Sequence, residues 1–159
     1  HVRSRRQRQM CIRDSMNPDP GRADVVLGQD AWVAVLPAAH RLAHHARTYG
    51  ITLKALADQP FILATGGCVV NGKSLMEKAG LQLSDIRVTV RDWISACKLV
   101  AEGMGVALVP ESALPEALRN LCVVPVTPAI HREFRLVCST SGTSSGATQA
   151  LLNALRKRG

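Results

Sequence analysis

LVAEGMGVALVPESAL, residues 99–114, is the stretch on which the fold turns. Its first residues finish a helix: in Trp93–Gly103 the apolar residues Trp93, Ile94, Cys97, Val100 and Ala101 recur at helical spacing, and Gly103 supplies the stop. Asp92 stands where a helix N-cap belongs. After the break comes Val106–Pro110, a short apolar run ended by proline, which reads as a buried strand. Gly103 and Gly105, on either side of Met104, cap the helix and free the chain to enter that strand as a hinge. Helix, glycine break and buried strand in this order are half of a βαβ unit.

The same alternation continues in both directions. Upstream, WVAVLP (Trp32–Pro37) is a strand, the polar Ala38–Gly50 stretch a surface loop, Thr52–Asp58 a helix with Thr52 as N-cap, and FILAT (Phe61–Thr65) a buried strand. Gly66 and Gly67 break that strand. A helix from Asn71 to Gly80 follows, with Leu75, Met76 and Ala79 on one face, and then the alternating strand Ile86–Val90. Downstream lie a short helix in Glu111–Asn120, strands at Leu121–Val126 and Glu133–Ser139, and a flexible polar link, Ser141–Gly146. A closing helix at Ala147–Arg158 has Ala147, Ala150, Leu151, Ala154 and Leu155 inward, and its basic end complements the helix dipole. Short loops between alternating elements predict an α/β fold with a parallel sheet.

The first fifteen residues read differently. Arg5–Ser15 back-translates, in one frame, to a string resembling the adapter of transposase-based sequencing libraries, so residues 1–15 are expected to be a non-native tail. The competing readings are a phosphate-binding arm and a transit peptide. The tail carries five of the twenty Lys and Arg and one of the twelve Asp and Glu, half of the net +8. The +4 left on residues 16–159 is ordinary surface charge and weak evidence for DNA contact.

Apolar residues make up 47% of the chain and aromatics 3%, so the core is aliphatic. No run of 18 apolar residues exists, and no membrane span is expected. Of the five cysteines, Cys11 belongs to the tail. Cys68, Cys97, Cys122 and Cys138 lack metal-pair spacing, and Cys97, Cys122 and Cys138 sit in apolar segments as free thiols of a reducing compartment. The adjacent His44 and His45 suit an exposed loop better than a metal, and no metal or cofactor is expected.

Gly67–Ser74 fits the G-x-x-x-x-G-K-S spacing of a phosphate-cradling loop, after a strand and before a helix. The acidic strand end that would hold Mg²⁺ is poorly copied by Val90-Arg91-Asp92, so nucleotide binding ranks as a lesser alternative. No Ser-His-Asp order, nucleophile elbow or paired carboxylates appear, which favours binding over catalysis.

Four segments in order carry a resemblance. WVAVLPAAHRLA, ITLKALADQPFIL, LVAEGMGVALVPESAL and VCSTSGTSSGATQALLNALR resemble the regulatory half of LysR-type transcriptional regulators over residues 24–158, with His40-Arg41 standing where that family usually has His-Pro. The resemblance implies a periplasmic-binding-protein-like architecture: one complete Rossmann-like subdomain plus part of a second, joined by hinge strands. Residues 16–35 would be a remnant of the first subdomain with the first hinge strand, 36–105 the second, effector-binding subdomain, and 106–159 the second hinge strand and the C-terminal half of the first subdomain. It further implies a cytoplasmic regulator that binds a small effector between subdomains and forms a homodimer or homotetramer. DNA would be contacted only through an N-terminal helix-turn-helix that this sequence does not contain. A solute-binding protein of a transport system is the alternative that shares the fold.

Ligands of open α/β sheets bind beyond the carboxyl ends of strands, and two such ends are visible. They nominate Thr65, Gly66, Gly67, Cys68 and Asn71, and Arg91, Asp92, Trp93 and Ser95, as contacts for an anionic metabolite, with Pro37, Gly105 and Val106 as hinge. Plainer roles stay open: Gly66-Gly67 as a turn, Asp92 and Ser95 as helix caps, Trp93 as core, Arg91 as an exposed cation. The peroxide sensors of the family carry two cysteines nine residues apart in this loop region. Here the position nine after Cys68 is Glu77.

Overall fold

The computed structural model describes residues 10–15, 24–117, 119–138 and 146–156. The polar link at 141–145, the basic end 157–158 and residues 16–23 lie outside the described residues, as do the side chains of Cys11 and Cys138. Two compact units form: residues 1–29 with 132–159, and residues 30–131.

In the first unit, strand β1 (Met10–Ser15) runs antiparallel to β7 (His131–Cys138), Met10 facing Cys138 and Ser15 facing Glu133. Val25, at the start of β2 (Asp24–Pro37), packs with Leu136 and with Leu152 and Leu155 of α5 (Gly146–Arg156). The inward face of α5 thus differs from the expected one: Leu152 is buried, whereas Ala147, Ala150, Leu151 and Ala154 are exposed. Arg132, 6% exposed, lays its guanidinium over the Phe134 ring at 4.6 Å, a cation–π contact.

The second unit holds the larger core. Its centre is β3 (Pro60–Ala64), four of whose five residues are buried, paired parallel with β4 (Asp85–Val90). Between them runs α3 (Gly72–Lys78), so β3–α3–β4 is a βαβ unit. Helix α4 (Trp93–Ala101) returns the chain to β5 (Ala107–Pro110), and Val106 bridges Phe61 in parallel just before β5 begins. The other strands are antiparallel. β2 pairs β5, with Trp32 opposite Pro110, and also pairs β6 (Leu121–Pro125), with Leu36 opposite Cys122. The expected parallel pairing is found in β3 and β4, whereas β2 pairs antiparallel with β5 and β6.

Burial follows the sequence pattern where the pattern is strong. Val33, Val35, Ile62, Ala64, Ala96, Cys97, Val100, Ala107 and Val109 form one apolar cluster. On α4 the buried residues are Ala96, Cys97 and Val100, while Ile94 is 50% exposed. On α3 Leu75 and Met76 are buried and Ala79 is exposed.

Two further elements differ from expectation. Ala43–Tyr49, within the expected loop, is a helix, α1. It buries Ala43 and Ala46, and Arg47 Nε donates to Cys122 Sγ on β6 at 3.2 Å. Among the described residues of Glu111–Asn120 the expected α-helix gives way to a single 3-10 turn, Glu111–Ala113. Pro115 holds the preceding Leu114 extended, at φ −66 and ψ 143. Arg41, the departure in the His40-Arg41 pair, donates from Nη2 to Oε1 of buried Gln59 at 3.1 Å.

Candidate functional site

The site is built where β3 and β4 end. The Thr65 amide donates to the Val90 carbonyl at 3.1 Å, tying the two strand ends together, so that the turn after β3 lies beside Arg91 and Asp92. That turn is Thr65–Cys68. The Cys68 amide donates to the Thr65 carbonyl at 3.0 Å, and Gly66 and Gly67 take φ +60 and +68. Positive φ at both central positions is the requirement of a type I′ turn, which explains the glycine pair.

The glycines differ in what lies above them. A Cβ at Gly67 would meet nothing within 4 Å. One at Gly66 would strike the Trp93 indole, 2.0 Å from Cζ2 and 2.7 Å from Nε1. The space left by Gly66 is therefore filled by Trp93, and Gly67 is the residue whose backbone stays open to a ligand. Trp93 also meets buried Trp32 edge to face, centroids 5.6 Å apart. One side chain thereby joins the two segments that the sequence nominated.

The remaining nominees sort by what their polar groups do. Asn71 caps α3: its Oδ1 accepts from Lys73 N and Ser74 N, its Nδ2 donates to the Cys68 and Val69 carbonyls, and Ser74 Oγ accepts from the Asn71 amide at 2.9 Å. This is a capping box, with serine in the third position. Lys73 pairs with Glu77 one turn along, at 3.8 Å. The Lys-Ser of the phosphate-loop spacing is thus occupied in the helix itself. Cys68 Sγ donates to the Gly66 carbonyl at 3.4 Å. Asp92 caps α4, its Oδ1 accepting from Ser95 N at 2.7 Å. That amide, with the Ser95 hydroxyl, holds the exposed Asp92 carboxyl below the usual carboxylate range. Thr65 Oγ1, the Trp93 indole N–H and the Arg91 guanidinium carry no hydrogen bond or ion pair to a described residue.

The nominated hinge residues are held in place within the second unit. Pro37 faces Leu121 in the β2–β6 ladder. A Cβ on buried Gly105 would sit 2.4 Å from the Pro60 carbonyl oxygen. The Val106 amide donates to Pro60 O and its carbonyl accepts from Ile62 N, both at 2.8 Å. The units divide between Gln29 and Asp30 and between His131 and Arg132. At the first of these junctions Asp30, 8% exposed, accepts from Ser112 N at 3.1 Å and Ser112 Oγ at 2.6 Å. Sequence reading missed this contact, because an acid 82 residues from its partner leaves no local pattern.

No group of three or more His, Cys, Asp or Glu able to hold a metal occurs among the described residues. No helix among them is long and apolar enough to cross a membrane.

A family profile described as the LysR substrate binding domain matches residues 5–159. The chain is 31% identical over 103 residues to a probable hydrogen peroxide-inducible genes activator of Mycobacterium avium, covering 63% of this chain and 32% of that protein. It thus spans about a third of the length of that curated relative. Among solved structures it is similar to the BenM effector binding domain with its effector benzoate, at TM-score 0.68 and 24% identity over 91% of this chain and 66% of that one. It is also similar to the regulatory domain of CcmR from Synechocystis PCC6803 in complex with 2-PG, at TM-score 0.71 and 19% identity over 92% of this chain and 71% of that one. At these identities the structural likeness establishes the fold.

Proposed function

We propose a function from one premise: this chain belongs to the LysR substrate-binding domain family. It is the effector-sensing domain of a LysR-type transcriptional regulator and takes a small anionic metabolite at the mouth formed by Thr65–Gly67 and Arg91–Trp93. The regulator acts in the cytoplasm as a homo-oligomer and reads DNA through a helix-turn-helix encoded outside these residues. The domain's work is binding, not catalysis.

One observation carries this reading. Two strand ends are tied together by the Thr65–Val90 hydrogen bond, and the groups left without a hydrogen bond to a described residue around them are the Thr65 and Ser95 hydroxyls, the Trp93 indole N–H and the Arg91 guanidinium. These donors suit an anion, the Asp92 carboxylate between them being committed through one oxygen to the Ser95 amide. The fold relatives add support, since the BenM domain holds benzoate and the CcmR domain 2-PG. Against nucleotide hydrolysis stands the engagement of Lys73 with Glu77 and of Ser74 in the capping box. The solute-binding alternative separates at the gene: a regulator carries a helix-turn-helix upstream, a transport receptor a signal peptide.

The test is a thermal-shift screen of small carboxylates and phosphates, followed by calorimetry on Thr65→Val. A hit whose affinity falls in that variant supports the site. A hit whose affinity is unchanged there and in Arg91→Gln moves the site elsewhere.

A further inference from the structure

We propose that Trp93 is the specificity-determining donor of this site: its indole N–H hydrogen-bonds an oxygen of a bound carboxylate beside the open backbone of Gly67. The inference deepens the reading above and rests on it.

The first ground is immobilisation. The indole lies on Gly66, where even a methyl group would collide at 2.0 Å, and stands against Trp32 at 81° between planes. Trp32 itself is 1% exposed, so the support does not move. A donor held on two sides loses little freedom when a ligand arrives, and that favours affinity.

The second ground is availability. Trp93 is half-buried, and Nε1 makes no hydrogen bond to a described residue, yet it is not sealed from solvent in the core. An indole N–H donates only, so its partner must be an acceptor. Nε1 lies 2.7 Å from the position a Gly66 Cβ would take, which places it at the turn between the two segments.

The third ground is elimination. Asn71, Cys68 and Asp92 have polar groups engaged in the turn and the helix caps, Asp92 through the Ser95 amide. What is left to read a ligand is flexible Arg91, the rotating hydroxyls of Thr65 and Ser95, and rigid Trp93. Only the last has a fixed direction, and direction is what distinguishes one acceptor geometry from another.

The chain has two tryptophans, so a ¹⁵N-labelled sample gives two indole N–H signals, assigned with W93F. Sodium acetate is titrated, with sodium chloride and methylammonium chloride as controls. The Trp93 indole proton is expected to move downfield, saturating together with the Gly66 and Gly67 amides, while Trp32 and both controls stay flat. Followed at the Gly67 amide, W93F is expected to raise the acetate Kd about tenfold. Saturation of the glycine amides with a stationary Trp93 indole overturns the proposal and leaves the anion site standing. Flat glycine amides and indole at every concentration overturn the anion site and this proposal together. The wild-type shift needs no variant, so a W93F that fails to fold does not shield the claim.

Discussion

Trp93 meets Trp32 edge to face, ring centroids 5.6 Å apart and planes at 81°, with the backbone of Gly66 beneath the Trp93 ring. The contact predicts that the two adjacent glycines respond unequally to alanine. Gly67→Ala adds a methyl group in open space at φ +68 and should cost about 1–2 kcal/mol, the strain of a left-handed residue. Gly66→Ala bears the same strain and must also displace the indole, adding about 1–3 kcal/mol for overpacking. Urea unfolding of both variants measures the gap. Equal losses would mean that the ring does not rest on Gly66.

Gly105 makes a second steric prediction. Its missing side chain leaves room for the Pro60 carbonyl, and Val106 exchanges two hydrogen bonds with β3 directly afterwards. Backbone cannot rotate away as a side chain can. Gly105→Ala should therefore lose about 2–4 kcal/mol, combining overpacking with weakened bridge bonds, and lower the denaturation midpoint accordingly. A loss below about 0.5 kcal/mol would show a looser junction than this geometry describes.

How much of this was legible beforehand depends on range along the chain. Local devices were readable: the caps Thr52 and Asp92 accept the expected amide bonds, and Gly80 and Gly103 take positive φ after their helices. Helix α1 was missed because His44, His45 and Arg47 mask it, although Ala43 and Ala46, three apart and buried, were its signal. The short helix expected at Glu111–Asn120 failed on Pro115, a cue present in the sequence. Strand direction was readable for β3 and β4, joined through α3, but not for β2 with β5 and β6, since alternation of elements says nothing of which edges meet. For the site, the sequence nominated residues by type at strand ends; it could not say that Trp93 fills the space above Gly66, that Asn71 is taken up in its cap, or that Asp30 reaches Ser112.

The cysteines should separate by reactivity. Burial pushes the Cys97 thiol up to about 11, so at pH 8 only about one molecule in a thousand carries the thiolate. Cys68 is half-exposed. Iodoacetamide mapped by mass spectrometry should label Cys68 well before Cys97. Because the folded thiol of Cys97 is raised above its ordinary value of 9.0, its contribution to stability is intact below pH 9 and is lost as pH rises toward 11. Peroxide should give no disulfide from Cys68, since the residue nine positions on is exposed Glu77, paired with Lys73. A bond from Cys68 to Cys97 or Cys122 in the peptide map would refute this.

Asp92 sets an acid limit for α4. Its carboxyl is depressed chiefly by the Ser95 amide, so the cap is complete above the ordinary carboxylate range and weakens as pH falls through and below it. Asp92→Asn retains an acceptor and should remove that acid dependence while leaving the helix in place. Amide exchange of Ser95 and Ala96 measured against pH checks it; an unchanged pH profile in the variant would assign the acid sensitivity to another group.

Thr65 and Ser95 both carry hydroxyls at the mouth, and the structure assigns them different work. Thr65 Oγ1 has no described partner, whereas Ser95 is tied to Asp92 through its amide, a cap bond in which the hydroxyl takes no part. Thr65→Val keeps the shape of the side chain and removes only the donor. Against a charged ligand group it should weaken binding by about 1.5–3 kcal/mol, roughly ten- to a hundredfold, with little change in melting temperature. Ser95→Ala keeps the amide that caps α4 and should leave affinity within about threefold, with a change in stability within about 0.5 kcal/mol. Calorimetry and thermal unfolding of the two variants, with the best hit from the screen, separate the roles. Equal affinity losses would make both hydroxyls ligand contacts.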